Sequence, residues 1–559
     1  MSRASKATVR RSSRLPLIAA LLLAAAPVAA QFATFPAQDY FREQWQPAPY
    51  DIEIDTVGNL EDYVVDGKLE LSLRTYLELV MANHPNVQIQ VINVLEQENA
   101  IQSALSPFDP NLTLDFNANR GTNPSQDVLQ GGAVISTLRQ NGGFTYRQML
   151  DTGLSYTVGF TGLKNASSSA FRTFNPSIQD TLLFRLSQPL LRGRGRGIQR
   201  IPVMIAESRH DITRAQAINR IIALIATAEN TYWQVVSNRE ALTVQENNLE
   251  LRNAFLQRSQ RELELGAISR LDIYQPEQNF ANAQVSVTRA RYRLQQSEDR
   301  VRRQIAADLD PEIRNLPLVL TESADPPIYM PSFEPEEAIR KALAFRPEVR
   351  QSRKNLEIDD YNIRRYTNAQ RPDLSLTASY SATGLGGNLY ETSLLGGTSR
   401  LLEAGGFPAA MNQLLQFAFP TYSVGVTLDL PLRNRRAAAD LANSALSKKR
   451  NMYQLRSLEQ DIRLEVLNAI TGVELSKAAI QQAAVALDFS QKRLDAEQQK
   501  YDLGVSTAFI VLDAQDDLVQ SESDLLQESI GYRQAMVTLL QATGELLAER
   551  GVHVEFRQP

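Results

Sequence analysis

Residues 203–265 read VMIAESRHDITRAQAINRIIALIATAENTYWQVVSNREALTVQENNLELRNAFLQRSQRELEL. These 63 residues contain neither glycine nor proline, and they lead directly into the short segment Gly266-Ala267-Ile268-Ser269. So long a stretch without helix-breaking residues predicts one α-helix that ends at Gly266. At ~1.5 Å per residue the helix would be roughly 95 Å long, several times the diameter of an ordinary domain. It therefore cannot be buried inside a compact core.

A second stretch of the same kind occupies residues 435–503, where Gly472 is the only helix breaker, and it leads into Gly504-Val505-Ser506-Thr507. A shift of 238 positions places Gly266 on Gly504. A shift of 262 positions aligns three further pairs, which are Pro85 with Pro347, Pro110 with Pro372 and Leu112 with Leu374. These two registers of self-similarity predict an internal duplication built on two very long helices.

Proline content and hydrophobic periodicity divide the chain into segments. The predicted segments are a signal peptide at 1–30, an extended segment at 31–71, a first repeat at 72–307, a linker at 308–335, a second repeat at 336–545 and a tail at 546–559. Within the first repeat we predict helices at about 72–83 and 86–105 and a long helical hairpin at 199–306. Within the second repeat the long hairpin is predicted at 435–543.

The first thirty residues have the composition of a secretory signal. Five basic residues precede a short apolar run from Leu15 to Ala26, and Val28-Ala29-Ala30 follows as a candidate cleavage point. No later stretch offers the ~20 consecutive apolar residues that a transmembrane helix needs. If the mature chain enters a membrane, we therefore expect it to do so through strands.

Composition excludes several classes of site. The chain has no cysteine, which rules out disulfides, thiolate metal sites and cysteine nucleophiles. Removal of the signal would leave 53 basic against 63 acidic residues, a net charge near -10. Such an acidic chain is a poor nucleic-acid binder. We find no P-loop, nucleophile elbow or metal-binding pattern, so neither an enzyme nor a cofactor or metal is expected.

The hydrophobic period changes to two residues in four segments. Residues 112–120 read LTLDFNANR, and alternation of the same kind recurs at about 180–189, 374–382 and 422–431. Such segments suit tilted membrane strands with one apolar and one polar face. Four strands per chain are therefore predicted. Residues 133–163 remain open, because LSYTVGF at 154–160 also alternates and would fit either an additional hairpin or an external loop.

Four strands cannot close a barrel, and open strand edges are not tolerated in lipid. The chain is therefore expected to oligomerise. A cyclic trimer is the simplest solution, because its twelve strands would enclose a channel, whereas the eight strands of a dimer would be filled by their own side chains.

The duplicated plan resembles the TolC-like outer-membrane efflux protein family over residues 70–545. The resemblance is carried by QPLL at 188–191 and LPL at 430–432, which close the second strand of each repeat, and by YDLGVSTAFIVLDAQ at 501–515. It implies an α+β membrane protein, a trimeric 12-stranded outer-membrane β-barrel continued by a long periplasmic α-helical barrel. It also implies that the chain is the exit duct of a tripartite efflux pump, with a periplasmic adaptor, an inner-membrane transporter and outer-membrane lipid as partners.

The same resemblance places the candidate functional residues at the tips of the long hairpins. It implies that Asp272 and Asp513 line the periplasmic gate and that Tyr501 is hydrogen-bonded to Asp272 at the closed tip. The tips expected to dock the adaptor are Gly266, Ser269, Gly504 and Ser506. Ser506 stands where the family has an arginine, so the charged part of the family's latch is not expected here. The alternative for both aspartates is that they only cap helix starts.

Two other interpretations of the function stay open on the residues alone. The duct could serve a type I protein secretion system, or the chain could be a soluble periplasmic coiled-coil protein that leaves its amphipathic strands unused. The basic stretch 192–197, which reads RGRGRG, lacks the spacing of a phosphate-binding loop. We interpret this stretch as a flexible, positively charged junction between strand and helix near lipid headgroups.

Overall fold

The computed structural model describes residues 60–125, 132–169, 171–266, 268–326, 329–391, 400–554 and 556. The predicted signal peptide at 1–30 and residues 31–59 of the predicted extended segment lie outside the described residues. Residues 58–559 form one compact unit by their internal contacts.

Helices and strands follow one another twice in a similar order. The helices of the described residues are α1 Leu73–Asn83, α2 Pro85–Leu105, α3 Arg196–Gln199, α4 Ile201–Glu264, α5 Tyr274–Gln304, α6 Pro335–Phe345, α7 Pro347–Ala369, α8 Phe407–Leu415, α9 Arg435–Asp502, α10 Ala508–Thr543 and α11 Leu546–Glu549. The strands are β1 Val64–Val65, β2 Lys68–Leu71, β3 Asn111–Pro124, β4 Val134–Met149, β5 Ser155–Ser167, β6 Phe174–Pro189, β7 Leu318–Leu320, β8 Asp373–Glu391, β9 Arg400–Glu403 and β10 Phe419–Asp429.

Both long helices run through the predicted stretches without a break. α4 has 64 residues and α9 has 68, which correspond to lengths of ~96 and ~102 Å. Pro202 is accommodated in the first turn of α4, where a missing backbone N–H leaves no hydrogen bond unmade. Each helix gives way to a short turn, and α5 and α10 then run back alongside α4 and α9. The result is two long helical hairpins.

The short helices divide where the sequence places proline. Ser72 caps α1 by accepting a hydrogen bond from the backbone N–H of Thr75 at 3.2 Å. Pro85 occupies the first turn of α2, because its fixed φ suits a helix start while its ring would clash inside a continuing helix.

The prediction of four strands per chain is wrong. The large sheet of the described residues has the order β10-β8-β6-β5-β4-β3, and the short β9 pairs with β8 outside that path. Six of these strands are long, and every neighbouring pair is antiparallel. The two strands that were not counted, β4 and β5, form a hairpin at residues 134–167, which overlaps the segment 133–163 that was left open. Their alternation is obscured by glycine, serine and threonine, which fit a strand in a sheet but carry a weak hydrophobic signal.

The segment between Gly384 and Phe419 contains more structure than its loop-like composition indicates. β8 continues to Glu391, and α8 packs against β8 and β6. A Cβ at Gly384 would lie 1.9 Å from the carbonyl oxygen of Ala410. The helix therefore approaches the strand closely only because the strand has no side chain there.

Part of the extended segment and part of the proline-rich linker join in a small second sheet. β1 is antiparallel to β2, and β2 is parallel to β7 from the linker. This sheet covers an apolar core in which Tyr76, Tyr232 and Trp233 are buried. Tyr232 donates a hydrogen bond to the carbonyl oxygen of Leu71 at 3.2 Å, so the central part of α4 is fixed to the start of the first repeat.

The basic stretch at 192–197 is an ordered junction, which corrects its interpretation as flexible. Arg192 forms an ion pair with Asp373 at 2.6 Å, and the N–H of Gly193 donates to the side chain of Asn368 at 2.8 Å. Both partners belong to the second repeat. Gly193 and Gly195 have φ of +77° and +90°, a region that residues with a Cβ rarely adopt. The glycines thus allow the chain to turn sharply from β6 into α3.

Candidate functional site

The two hairpin turns end their long helices in the same way. Gly266 and Gly504 have φ of +74° and +77°. At the second tip, the N–H of Gly504 donates to the carbonyl of Tyr501 and the N–H of Val505 donates to that of Lys500, both at 2.9 Å. This pair of bonds is the Schellman arrangement, which satisfies carbonyls that would otherwise lack partners at the helix end.

Tyr501 lies at the second tip but does not contact Asp272 as predicted. Its hydroxyl donates to Glu262 Oε2 at 2.9 Å. Asp272 instead accepts a hydrogen bond from the backbone N–H of Ser269 at 3.0 Å. The Asp272 carboxylate is thus hydrogen-bonded within the turn that precedes α5, but it does not cap that helix, whose N-cap residue is Ile273 and lacks a side-chain cap. Glu262, by contrast, lies on the last turn of α4, beside the last turn of α9.

A charged network surrounds Tyr501 and joins the two long helices. The guanidinium of Arg258 donates to Glu262 Oε1 at 2.9 Å and to Asp502 Oδ1 at 2.5 Å. Its Cζ also lies 4.8 Å from the centre of the Tyr501 ring, within the range of a cation–π contact. The ring of Phe255 also packs against the ring of Tyr501, with 5.8 Å between the two ring centroids. We call Arg258, Glu262, Tyr501 and Asp502 the tip network.

The environment of Tyr501 favours its protonated form. Burial and the hydrogen bond to Glu262 raise the pKa of Tyr501 to about 12. Both causes disfavour a phenolate, since burial removes its solvation and the neighbouring carboxylate would repel it. Tyr501 therefore remains a hydrogen-bond donor throughout the physiological pH range.

The other predicted residues of the second tip are also engaged. Asp513 accepts a charge-assisted hydrogen bond from Arg493 at 2.7 Å, and Arg493 also pairs with Asp517. Ser506 donates to Glu497 at 3.0 Å. The carboxylates of Asp513 and Asp517 thus share the guanidinium of Arg493, and this group of three side chains carries one excess negative charge per chain.

A buried arginine fastens the two hairpins together farther from the tips. Arg252 on α4 has a side chain only 3% exposed and forms an ion pair with Asp516 on α10. It also donates to Asn248 at 3.2 Å and to the carbonyl of Leu512 at 3.4 Å. An apolar cluster lies around this contact and includes Phe255, Leu494, Val511, Leu512 and Leu518. The two tips are therefore held by side chains from both repeats.

The large sheet separates apolar from polar residues across all six long strands. One row of register partners is apolar and consists of Leu112, Tyr146, Val158, Phe184, Tyr380 and Tyr422. The adjacent row points to the other face and consists of Asn111, Arg147, Thr157, Arg185, Ser379 and Ser423. We call these the apolar row and the polar row. Such a division is typical of a sheet with lipid on one side and water on the other.

Across the described ranges, no helix combines the length and the apolar composition needed to cross a membrane. Among the residues that the structure describes, no group of three or more His, Cys, Asp or Glu side chains could hold a metal ion.

Comparison with known proteins relates the chain to outer-membrane efflux proteins. Residues 338–545 match the family model for outer membrane efflux proteins. The chain is 22% identical to the outer membrane efflux protein BepC of Brucella suis over 504 residues, which cover 89% of this chain and 92% of that protein. Over nearly its whole length the chain resembles the TolC-like outer-membrane efflux proteins. This resemblance was predicted from the duplicated plan and is confirmed.

Solved structures of outer-membrane channels share the fold of this chain. VceC of Vibrio cholerae matches with a TM-score of 0.58 at 13% identity, over 84% of this chain and 96% of that chain. The open state of MtrE of Neisseria gonorrhoeae matches with a TM-score of 0.56 at 17% identity, over 85% and 89%. The predicted localisation, the outer membrane with an extension into the periplasm, is likewise confirmed.

Of the four residues of the tip network, sequence reasoning identified only Tyr501. Arg258 and Glu262 are four residues apart on one face of α4, a spacing that is ordinary for a solvated helix surface. Their position eight and four residues before Gly266 was the available signal. What distinguishes them is the proximity of α9, and no local pattern encodes that proximity.

Proposed function

We propose that three copies of the chain form the exit duct of a tripartite efflux pump, through which small molecules pass passively from the periplasm to the exterior. The observation that supports this most directly is the large sheet, in which β3 pairs only with β4 and β10 only with β8 among the described strands. Two free edges beside an apolar row are not tolerated in lipid. Cyclic association pairs β3 of one copy with β10 of the next and removes every edge.

The long hairpins supply the periplasmic part of the duct. Two pairs of antiparallel helices per chain, α4 with α5 and α9 with α10, give twelve helices in a trimer. The lengths of ~96 and ~102 Å suit a tunnel that extends far from the membrane. The internal duplication accounts for the near equality of the two hairpins.

The tips are proposed to form the gated entrance and the docking site for partners. The tip network would hold neighbouring helices together in the closed state. Gly266, Ser269, Gly504 and Ser506 stand at the ends of the hairpins, where a periplasmic adaptor would reach them, and an inner-membrane transporter would lie beyond. The relatives carry matching descriptions, since one of them is a probable efflux pump outer membrane protein, TtgC of Pseudomonas putida.

Asp272 and Asp513 are proposed to face the passage at this entrance. Carboxylates that line a narrow pore favour cations, and threefold symmetry would multiply each charge by three. Asp272 contributes to the shape of its turn as well, because it accepts a hydrogen bond from the backbone N–H of Ser269. Such a duct carries out no chemical step, so we propose that the chain is not an enzyme.

The experiment that tests the function is deletion of the gene, with drug accumulation and secreted proteins measured in the same strain. We expect higher accumulation of small toxic compounds, an unchanged set of secreted proteins, and recovery when the full chain is restored. Loss of a secreted protein with unchanged drug accumulation would instead assign the duct to type I secretion. A purified mature chain that is a water-soluble monomer would refute the channel altogether.

A further inference from the structure

The first repeat carries a hairpin that the second repeat lacks. In the second repeat the outer strands β8 and β10 pair directly, with Leu374 opposite Leu428. In the first repeat the corresponding strands β3 and β6 are separated by β4 and β5. Two strands are inserted, so β3 and β6 keep their opposite directions. An insertion of this kind can enter a sheet without reversing any other strand.

The inserted hairpin continues both faces of the sheet. Tyr146 and Val158 occupy the apolar row between Leu112 and Phe184. Arg147 and Thr157 occupy the polar row. Aromatic contacts connect the two strands, with ring centroids 6.0 Å apart for Phe144 and Phe160 and 5.9 Å apart for Tyr146 and Tyr156. An external loop would have no reason to match the lipid-facing pattern of its neighbours.

The tight turn of this hairpin is built into the junction below the sheet. Arg196 pairs with Asp151 at 3.0 Å, and the N–H of Gly195 donates to the carbonyl of Thr152 at 3.0 Å. Gly153 has φ of +90°, and a Cβ there would lie 2.8 Å from the carbonyl oxygen of Gly193. The stretch RGRGRG therefore has a structural role, since its glycines and one of its arginines contact the turn of the inserted hairpin.

The number of strands also suits the width of the helical tunnel. Twelve helices with axes about 8–10 Å apart have a perimeter of roughly 95–120 Å. Eighteen strands about 4.8 Å apart and tilted by ~40° have a perimeter of roughly 110 Å, whereas twelve such strands would give only about 75 Å. Six strands per chain thus match the tunnel at an ordinary tilt.

We propose that the hairpin Val134–Ser167 is part of the membrane wall, so that three chains close an eighteen-stranded barrel about as wide as the tunnel beneath it. This inference rests on the proposed trimeric duct. Molecules that pass the entrance would then meet no second constriction from the barrel wall. Selection by size is left to the tips.

Disulfide formation between pairs of introduced cysteines tests the proposal, because the natural chain has no cysteine. Thr113→Cys with Thr145→Cys joins β3 to β4, and Thr157→Cys with Arg185→Cys joins β5 to β6, each at register partners. Both pairs should cross-link under mild oxidation in outer membranes. Thr113→Cys with Arg185→Cys should not, because three strand spacings separate these positions by ~14 Å.

The control pair is Ser379→Cys with Ser423→Cys, whose hydroxyl oxygens are 2.7 Å apart and whose strands pair in either arrangement. If the hairpin were an external loop, β3 and β6 would pair directly, as β8 and β10 do in the second repeat, and Thr113 would lie opposite Arg185. The cysteines at 113 and 185 would then cross-link, and the pairs 113 with 145 and 157 with 185 would not. That result would overturn the eighteen-stranded barrel and leave the proposed function as an exit duct unaffected. A chain that is not trimeric by mass would overturn the proposed function first. Strand counting in an image reconstruction of the trimer should give eighteen, and twelve would refute the proposal.

Discussion

At the scale of single residues, Tyr501 links the two long helices at the tip, where we propose that the duct is gated. Its hydroxyl donates a hydrogen bond to Glu262, and its ring contacts Arg258 and Phe255. A hydrogen bond to a charged group contributes about 1.5–3 kcal/mol, which corresponds to roughly a ten- to hundredfold change in the open fraction. The side chain links α4 to α9 without any contact to Asp272, so the closed tip depends on the long helices more than on the turn.

Replacement of Tyr501 should open the tip. We expect Tyr501→Phe to raise the leak conductance of the reconstituted channel by about tenfold or more, because the link to Glu262 is lost. Tyr453→Phe is a suitable control, since Tyr453 is exposed on the same helix. Equal conductance in both variants would remove Tyr501 from the gate.

The raised pKa of Tyr501 gives this prediction a pH signature. The pKa lies at about 12, above the ordinary 10.0, so the closed arrangement favours the protonated hydroxyl. Its contribution is complete below pH 10 and is lost as the pH rises through about 12. Conductance recorded from pH 7 to pH 12 should therefore rise at the alkaline end in the natural channel, and Tyr501→Phe should lack that component.

Asp513 and Arg493 should have opposite effects on ion selectivity. Because Arg493 is shared between Asp513 and Asp517, Asp513→Asn removes the excess negative charge, while Arg493→Gln adds one per chain. Reversal potentials in a salt gradient should show weaker cation preference in the first variant and stronger preference in the second. Asp488→Asn, which breaks a surface pair with Lys492, serves as control. If neither variant differs from it, Asp513 does not line the passage.

At the scale of elements, the end of the chain is fastened to the middle of the first long helix. Arg550, just after α11, donates two hydrogen bonds to Glu229 on α4, at 2.8 and 2.6 Å. The Glu229 side chain is only 1% exposed, so without Arg550 its carboxylate would be buried and unpaired. Leu546 is fully buried in the same core. The predicted tail at 546–559 thus begins as a packed element of the fold.

Removal of Arg550 should therefore be costly. We expect Arg550→Ala to destabilise the helical part by about 3–5 kcal/mol, measured as a shift in the urea midpoint of the helical circular-dichroism signal. Lys341→Ala, which breaks the more exposed pair with Glu545, should stay close to the natural protein. The double variant Glu229→Gln with Arg550→Ala should recover part of the loss. Equal midpoints for Arg550→Ala and Lys341→Ala would contradict this account.

At the scale of the whole molecule, ion pairs join distant parts of the chain at several positions along the length of the long helices. Arg252 joins α4 to α10 near the tips, Arg550 joins the C-terminal segment to α4 in the central core, and Arg192 joins the junction below the sheet to Asp373 of β8. Each pair connects residues far apart in sequence. The two hairpins of one chain therefore behave as one wall segment.

The sequence by itself determined what depends on near neighbours along the chain. The absence of glycine and proline over 63 residues set the length of α4, Gly266 and Gly504 set where the hairpins turn, and strict alternation located β3, β8 and β10. Helix length and strand facing follow from local backbone geometry, so a single sequence is sufficient to predict them.

Only the tertiary structure decided which distant groups meet. Tyr501 contacts Glu262 instead of Asp272 because α9 lies beside the last turns of α4, and hydrogen-bond partners so far apart in sequence leave no periodic signal. The strand count changed for the same reason. β4 and β5 are rich in small residues with weak hydrophobic contrast, and their apolar face is recognisable only when Tyr146 and Val158 stand in register with Leu112 and Phe184.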